Sequence, residues 1–423
     1  MHHGAPVKKN EAKEIFVFAD WQGMKAPMLM GTLAGDLIRG KEVFSFQYDA
    51  QWLRANRALV LDPDLGLYEG SQFLRDGKLS FGVFADSSPD RWGRVLMKRR
   101  EALQARAEKR PERTLMESDF LLGVFDEYRM GALRFKTSID GAFQNNDMRH
   151  SAPPWTSLAE LAQASVHLER DVEKVSARWI ELLLAPGSSL GGARPKASVL
   201  DKHKNLWIAK FPSRSDHEDK GLWELLTYKL ALNCGVSMSE SKVQAFANQK
   251  HTFLTKRFDR TTEGCRIHFA SAMTLLGFCD GVGTEDANYL QLAEFIASQG
   301  ASPDQDLEQL WRRIVFSICV KNTDDHLRNH GFLLTSQGWR LSPAYDLNPN
   351  PQGTGLTLNI TETDNALDPE LAMDVAPYFR INKERAHKIV VEVQREVTKW
   401  KALAKTLKIP PQEQDQMKRA FSL

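Results

Sequence analysis

Cysteine is scarce in this chain of 423 residues, which has four. Cys234, Cys265, Cys279 and Cys319 are scattered, and no two have the C-x-x-C spacing of a zinc or dithiol redox motif. Neither a zinc site nor a disulfide framework is expected, and a reducing compartment fits. No run approaches the ~18–20 apolar residues that a membrane span needs. The start, Met1-His2-His3-Gly4-Ala5-Pro6, has no apolar signal core, so a cytoplasmic protein without membrane contact is expected. Charge of one sign is not in excess either. Lys and Arg total 56 against 54 Asp and Glu, a net charge of +2 that does not announce a nucleic-acid binder. The two familiar phosphate-loop signatures, Walker A and G-x-G-x-x-G, are missing.

What is present is ordinary globular composition, 42% hydrophobic and 26% charged, in a chain long enough for two or three domains. Glu14–Phe18, Met28–Leu33 and Val43–Tyr48 read as strands, the last with much of the alternation of a half-buried one. A small β-rich module over residues 12 to about 85 follows. Ser87-Ser88-Pro89-Asp90 has the pattern of a helix start with a Ser cap and Pro in the first turn. The next stretch, Arg91 to Arg113, is markedly basic. It reads either as a solvated helical face or as a contact surface for an acidic partner or nucleic acid. Ser138 to Pro154 is polar with Gly, Asn and Pro, the pattern of a linker or long loop, and Ala177 to Leu184 has a helical pattern.

Two stretches carry chemistry. The first is Pro186-Gly187-Ser188-Ser189-Leu190-Gly191-Gly192-Ala193-Arg194-Pro195. Such glycines either make a turn or bring main-chain N–H groups close to phosphates. The hairpin predicted next, Lys196–Leu200 and Leu206–Phe211, sets Lys210 on a strand just after the Gly-rich loop, where a protein kinase keeps its ATP-phosphate lysine. Glu224, on a helix predicted over Gly221–Leu232, is its candidate partner, and Glu218 competes. Two further strands, Ser241–Phe246 and His251–Phe258, end in Lys256-Arg257-Phe258-Asp259-Arg260. A hinge between a β lobe and a helical lobe belongs there, with main chain able to bind adenine. The second stretch is Asn322-Thr323-Asp324-Asp325-His326-Leu327-Arg328-Asn329-His330. An Asp with an Asn five residues on has the spacing of a kinase catalytic loop, in which the Asp takes the hydroxyl proton and the Asn holds a metal ion. Asp325 has His330 at the same offset, so Asp324 is the candidate base. A further acid, Asp346, follows another strand-like run, and Glu384–Trp400 carries an apolar stripe at helical period.

Together, Gly187 to Lys196, Ile208-Ala209-Lys210-Phe211-Pro212, Lys256 to Arg260, Asn322 to Asn329 and Tyr345-Asp346-Leu347 resemble the HipA family of toxin serine/threonine kinases. Gly31-Thr32-Leu33 and Phe46-Gln47-Tyr48-Asp49 resemble its N-terminal subdomain, so the likeness spans roughly residues 12 to 400. The resemblance implies an α+β, protein-kinase-like two-lobed fold, with an N-terminal β-rich subdomain and a mostly helical C-terminal lobe. It implies three regions: 1–150, β-rich with helices; 151–262, ATP-binding; and 263–423, helical and catalytic. Asp324 is then the catalytic base, and Asn329 and Asp346 the Mg²⁺ ligands. Ser188, Ser189, Gly191, Gly192, Lys210, Lys256, Phe258 and Asp259 bind ATP, the hinge mainly through its main chain. Ser189 matches a serine that members autophosphorylate to switch themselves off, although Ser188 stays open, and Glu224 supports Lys210. The implied partners are a protein substrate such as an aminoacyl-tRNA synthetase and a small helix-turn-helix antitoxin. No helix-turn-helix stands out in this chain, so DNA would be reached only through that antitoxin. Three departures stand out: Arg194-Pro195 where polar or acidic residues can occur, Asp325 where Gly is frequent, and Lys256 in place of an acid. Two other classes remain open, a kinase-like phosphotransferase acting on a small molecule and a non-catalytic ATP-binding or interaction protein.

Overall fold

The structure, a computed structural model, describes residues 13–75, 77–148, 151–170, 180, 183, 194–246, 250–280 and 284–422. The Gly-rich stretch up to Ala193 lies outside the described residues, as does most of the helix predicted over Ala177 to Leu184.

The first sheet is antiparallel, with β1 (Lys13–Ala19), β2 (Met28–Ile38), β3 (Lys41–Tyr48), β4 (Ser71–Phe73) and β5 (Leu133–Lys136) in the order β4-β3-β2-β1-β5. Alternation in β3 turns Phe44, Phe46 and Tyr48 inward, where Phe46 meets the rings of Tyr48, Phe81 and Phe84. Gly31 pairs with Tyr48 across this sheet, and a Cβ there would come within 2.2 Å of Gln47 O. Only glycine fits so close an approach.

The basic helix α1 (Arg91–Ala107) begins two residues later than a Ser88 cap with Pro89 in the first turn would place it. Its cap is Asp90, whose side chain accepts from Gly93 N at 2.8 Å. The Ser87 and Ser88 hydroxyls instead donate back to Val83 and Phe84 carbonyls. Several basic groups of this stretch are committed within the molecule: Arg94 to Glu117, Arg110 to Glu101, Arg113 to Asp119 and Arg99 to Leu168 O. The segment expected as a linker is pinned as well, through bridges Phe135↔Gln144 and Pro154↔Leu200. Helix α2 (Leu158–Arg170) packs its Leu158, Leu161 and Leu168 under the next sheet.

That second sheet holds β6 (Lys196–Leu200), β7 (Leu206–Lys210), β8 (Ser241–Gln244) and β9 (Thr252–Lys256) in the order β6-β7-β9-β8. Helix α3 (Lys220–Asn233) lies beside it with Leu222, Leu225, Leu226 and Leu230 buried. After it come β10 (Phe269–Ser271), β11 (Gly331–Thr335) and β12 (Gly338–Leu341), a three-stranded sheet, and the helices α4 (Tyr289–Gln299), α5 (Pro303–Val320) and α6 (Lys383–Val397). Helix α5 is the axis of this lobe, buried from Leu310 to Val320. It stops where Lys321 turns left-handed (φ 48°) and Asn322 N returns to Ser317 O at 2.9 Å. This C-terminus aims the following loop. The α6 stripe Ile389, Val390, Val393 and Val397 is buried. No described helix is long and apolar enough to cross a membrane.

His268 marks the contact between the first module and this lobe. It is 1% exposed, with ring centroids of Trp21 at 5.4 Å and Trp339 at 5.8 Å, and neither ring nitrogen has a hydrogen-bond partner among the described residues. Burial pushes its pKa down to about 3. The unfolded chain, with an ordinary value of about 6.5, therefore takes up a proton that the folded state refuses. Stability from this site is present above about pH 6.5 and is lost as the pH falls toward about 3. Replacing His268 by Phe is expected to flatten the decline of unfolding free energy between pH ~6.5 and ~4, measured by urea titration at each pH.

Candidate active site

Strand β7 ends on Lys210, and its ammonium lies 2.6 Å from Glu224 Oε1 on α3 and 2.6 Å from Asp346 Oδ1 beyond β12. Glu218 is elsewhere, paired with Lys220 at 3.2 Å. Burial disfavours the charge on Lys210, but Asp346 and Glu224 outweigh it and hold the pKa above the ordinary lysine value. Asp346 is also buried, yet Lys210 keeps its carboxyl below the usual range. Glu224 is pushed up, first by burial and then, against the pull of Lys210, by Asp346. Asp346 sits at φ 58°, a left-handed conformation that Asp tolerates better than most residues, and its Oδ1 also accepts from Asn348 Nδ2 at 3.0 Å.

The loop after α5 supplies the second half. Asp324 is exposed in the cleft, and Asn329 is buried and donates from Nδ2 to Asp324 O at 2.9 Å. The surroundings raise the pKa of Asp324: burial contributes most, with Asp346 and Asp325 adding to it and His326 opposing. A raised pKa makes a carboxylate a stronger base. The amide bond fixes Asn329 so that Oδ1 is the end left over, and that buried oxygen has no partner among the described residues. One amide oxygen and one carboxylate are the hard donors that suit Mg²⁺, whose remaining positions are filled by phosphate oxygens and water. The described residues hold no cluster of three or more His, Cys, Asp or Glu arranged for a metal.

The hinge departs from expectation in two places. Lys256 N donates to Glu240 O, and its carbonyl accepts from Ser239 Oγ, so its main chain is already engaged by the sheet edge. Asp259 is fully buried and receives Arg257 at 2.6 Å, Arg260 at 2.7 Å and Gly131 N at 2.9 Å. Its side chain is therefore a strut between the hinge and the first module, not an ATP ligand. Arg257 carries the strut on to Tyr128 O and Arg129 O. Phe258, packed by Phe269 and Tyr345, has a main-chain N–H and carbonyl outside the hydrogen-bond network of the described residues. Those groups are the hinge's open donor and acceptor. Ser188, Ser189, Gly191 and Gly192 lie outside the described residues. Beyond them, Arg194 reaches back to Asp216 at 2.6 Å and Phe211 O at 3.0 Å. A pocket partly open to solvent adjoins Lys210 and Glu224 and is walled by Ile208, Tyr228, Phe253, Thr255 and Leu347.

The sequence reading missed some members of this site. Asn322 Oδ1 accepts from Asn348 N at 3.0 Å, joining the Asp324 loop to the Asp346 segment. Tyr345 donates to Arg328 O at 2.7 Å. The one signal was positional: Asn322 stands two residues before Asp324, and Asn348 two after Asp346.

The sequence profile of the HipA-like C-terminal domain matches residues 188–401, about half of the chain. The chain belongs to this family. A kinase-named protein of Haemophilus influenzae is 25% identical over 194 residues, 41% of this chain and 56% of that protein. The kinase-named protein Y4dM of Sinorhizobium fredii is 28% identical over 162 residues, 36% of this chain and 38% of that one. The chain thus spans about half or less of the length of these relatives. A solved structure of the HipA, HipB and operator DNA complex of Shewanella oneidensis superposes with a TM-score of 0.62 at 16% identity, over 96% of this chain and 94% of that one. The HipA-like chain therefore has the α+β, kinase-like two-lobed fold, β-rich at its N-terminal end and helical at its C-terminal end.

The hinge strut is directly testable. Removing one partner of a buried charge pair leaves the other uncompensated, at about 3–5 kcal/mol. Asp259→Ala is expected to lower unfolding free energy in urea by about that amount. The pair Arg257→Met with Asp259→Leu should cost less than Asp259→Ala alone, because less buried charge is left without a counter-charge.

Proposed function

We propose that this HipA-like chain is an ATP-dependent serine/threonine protein kinase. The observation that carries the reading is the Lys210 ammonium held between Glu224 and Asp346, at 2.6 Å from each, with Asp324 and Asn329 on the adjoining loop. Lys210 is charged and fixed in place to meet phosphate oxygens. Asn329 Oδ1 and the Asp346 carboxylate are the groups that would hold Mg²⁺. The ion, when bound, would neutralise charge on the phosphates. Asp324, with its raised pKa, orients the acceptor hydroxyl and takes its proton. Phe258 offers its main-chain N–H and carbonyl to adenine. Positioning and fixed charge do most of the work in phosphoryl transfer, and the site is built from both.

In this reading the acceptor is a Ser or Thr of a protein, with an aminoacyl-tRNA synthetase as the expected target. The regulator is a small helix-turn-helix antitoxin through which DNA is reached indirectly. The HipA neighbour, seen with HipB and operator DNA, supports that choice of partner. The division into 1–150, 151–262 and 263–423 is proposed on the same basis, with one sheet in each part. We place the enzyme in the cytoplasm.

Asp324→Asn is expected to lower transfer of γ-phosphate from ATP to protein by about 10²- to 10⁴-fold, with ATP affinity largely kept. Radiolabel incorporation and calorimetric titration with ATP measure the two, and wild-type-like transfer by this variant would reject the assignment. Ser189 is expected to be the inhibitory autophosphorylation site, so Ser189→Ala should stay active longer during incubation with ATP. Identical decay of Ser189→Ala and wild type would remove that role.

A further inference from the structure

Asp325 sits next to the proposed base and is 1% exposed. A buried carboxylate is costly unless it has partners, and this one has a hydrogen bond at one oxygen and an imidazole within ion-pair distance of the other. Oδ2 accepts the Tyr289 hydroxyl at 2.5 Å, and Oδ1 lies 2.9 Å from His330 Nε2. Burial pushes its pKa up, but His330 and Tyr289 overcome that and hold the carboxyl below its ordinary range. The partners matter by position. His330 follows the proposed metal ligand Asn329, as Asp325 follows the proposed base Asp324. The Asp325–His330 contact therefore closes the same gap that Asn329 Nδ2 closes onto Asp324 O at 2.9 Å. A hydrogen bond and, one residue along, a close carboxylate–imidazole contact thus span the gap between base and ligand.

Tyr289 ties this double closure to the lobe. It is the first residue of α4, fully buried, with its N–H on Asn359 O at 3.0 Å and its ring edge-on to His330 at 5.7 Å. The preceding Asn288 caps α4 through a reciprocal bond with Gln291, so the helix start cannot shift without breaking it.

We propose that Asp325 is a positioning residue of the phosphoryl-transfer site, clamping the base and the metal ligand in register through His330 and Tyr289. The proposal rests on the kinase reading above. Asp325 does not touch the reacting atoms; it sets where Asp324 and Asn329 stand.

The test uses the full chain with Tyr289→Phe, which removes one hydroxyl and keeps the ring, and with Asp325→Asn, which keeps the shape and removes the charge. The first readout is amide hydrogen exchange across residues 322–330 in the metal-free protein without nucleotide, which needs no activity. Both variants should exchange several-fold faster there than wild type, while α5 and α6 stay protected. The second readout is phosphoryl transfer per folded molecule. Since misplacement of catalytic groups by about 1 Å can cost about 10²-fold, kcat should fall about 10-fold in Tyr289→Phe and about 100-fold in Asp325→Asn, with KM for ATP within about twofold. A purely structural pair would instead lower the folded fraction and leave kcat per folded molecule unchanged. Unchanged exchange in Tyr289→Phe overturns the clamp. Faster exchange with unchanged kcat overturns its positioning role. A wild-type protein without any ATP-dependent transfer would defeat the kinase reading and with it the positioning role, and the exchange result would then decide the clamp alone. Should Asp325→Asn fail to fold, Tyr289→Phe carries both readouts.

Discussion

The Lys210 ammonium is the charge on which the cleft depends. It joins a strand of the second sheet, the helix packed beside it, and a segment of the helical lobe 136 residues further on. Buried in company with two carboxylates, it has no neutral alternative that would leave both acids satisfied. The two lobes are thereby held in one relation, with Asp346 drawn toward the strand and Glu224 toward the cleft. A nucleotide entering here meets a cation already fixed in direction, and that lowers the reorganisation required of the site.

A second set of charges limits how the lobes move. Arg257 and Arg260 tie the hinge to carbonyls at Glu127, Tyr128, Arg129 and Gly131 of the first module, and Asp259 accepts the Gly131 N–H. Asp86 of the same module accepts from both the N–H and the hydroxyl of Ser271 in the helical lobe. The first module thus grips the hinge and the helical lobe together. Hinges that open do so through a few residues free to change φ and ψ. Here the residues at that position are fastened from the side. Within the first module, arginines of the basic stretch Arg91 to Arg113 are held by Glu101, Glu117 and Asp119.

The loop that carries Asp324 is held from three directions. Helix α5 delivers it through the left-handed Lys321, Asn348 fastens its start through Asn322, and Thr357 donates to Thr323 O at 2.7 Å. These bonds all go to residues flanking Asp324, whose own carboxylate is exposed in the cleft. Loss of hydration raises its proton affinity most, and its neighbours Asp346 and Asp325 add to that.

The sequence alone determined whatever is written in short spacings. The interval from Asp324 to Asn329, Lys210 on the strand after a Gly-rich stretch, and the stripe of α6 are local patterns, and local backbone geometry turns spacing into direction within a few residues. Choices between chemically equal residues were not legible, because they depend on which face of one element meets another. Glu224 and Glu218 are both carboxylates near the same helix, and only packing of α3 against β7 turned Glu224 to Lys210 and left Glu218 with Lys220. Asp259 read as part of a nucleotide hinge until the first module closed over it and supplied Gly131 N. Asp325 had a neighbour at five residues in His330, but its other partner, Tyr289, comes from 36 residues away. A buried charge must be satisfied by whatever the fold brings to it, and the tertiary structure alone decides what that is.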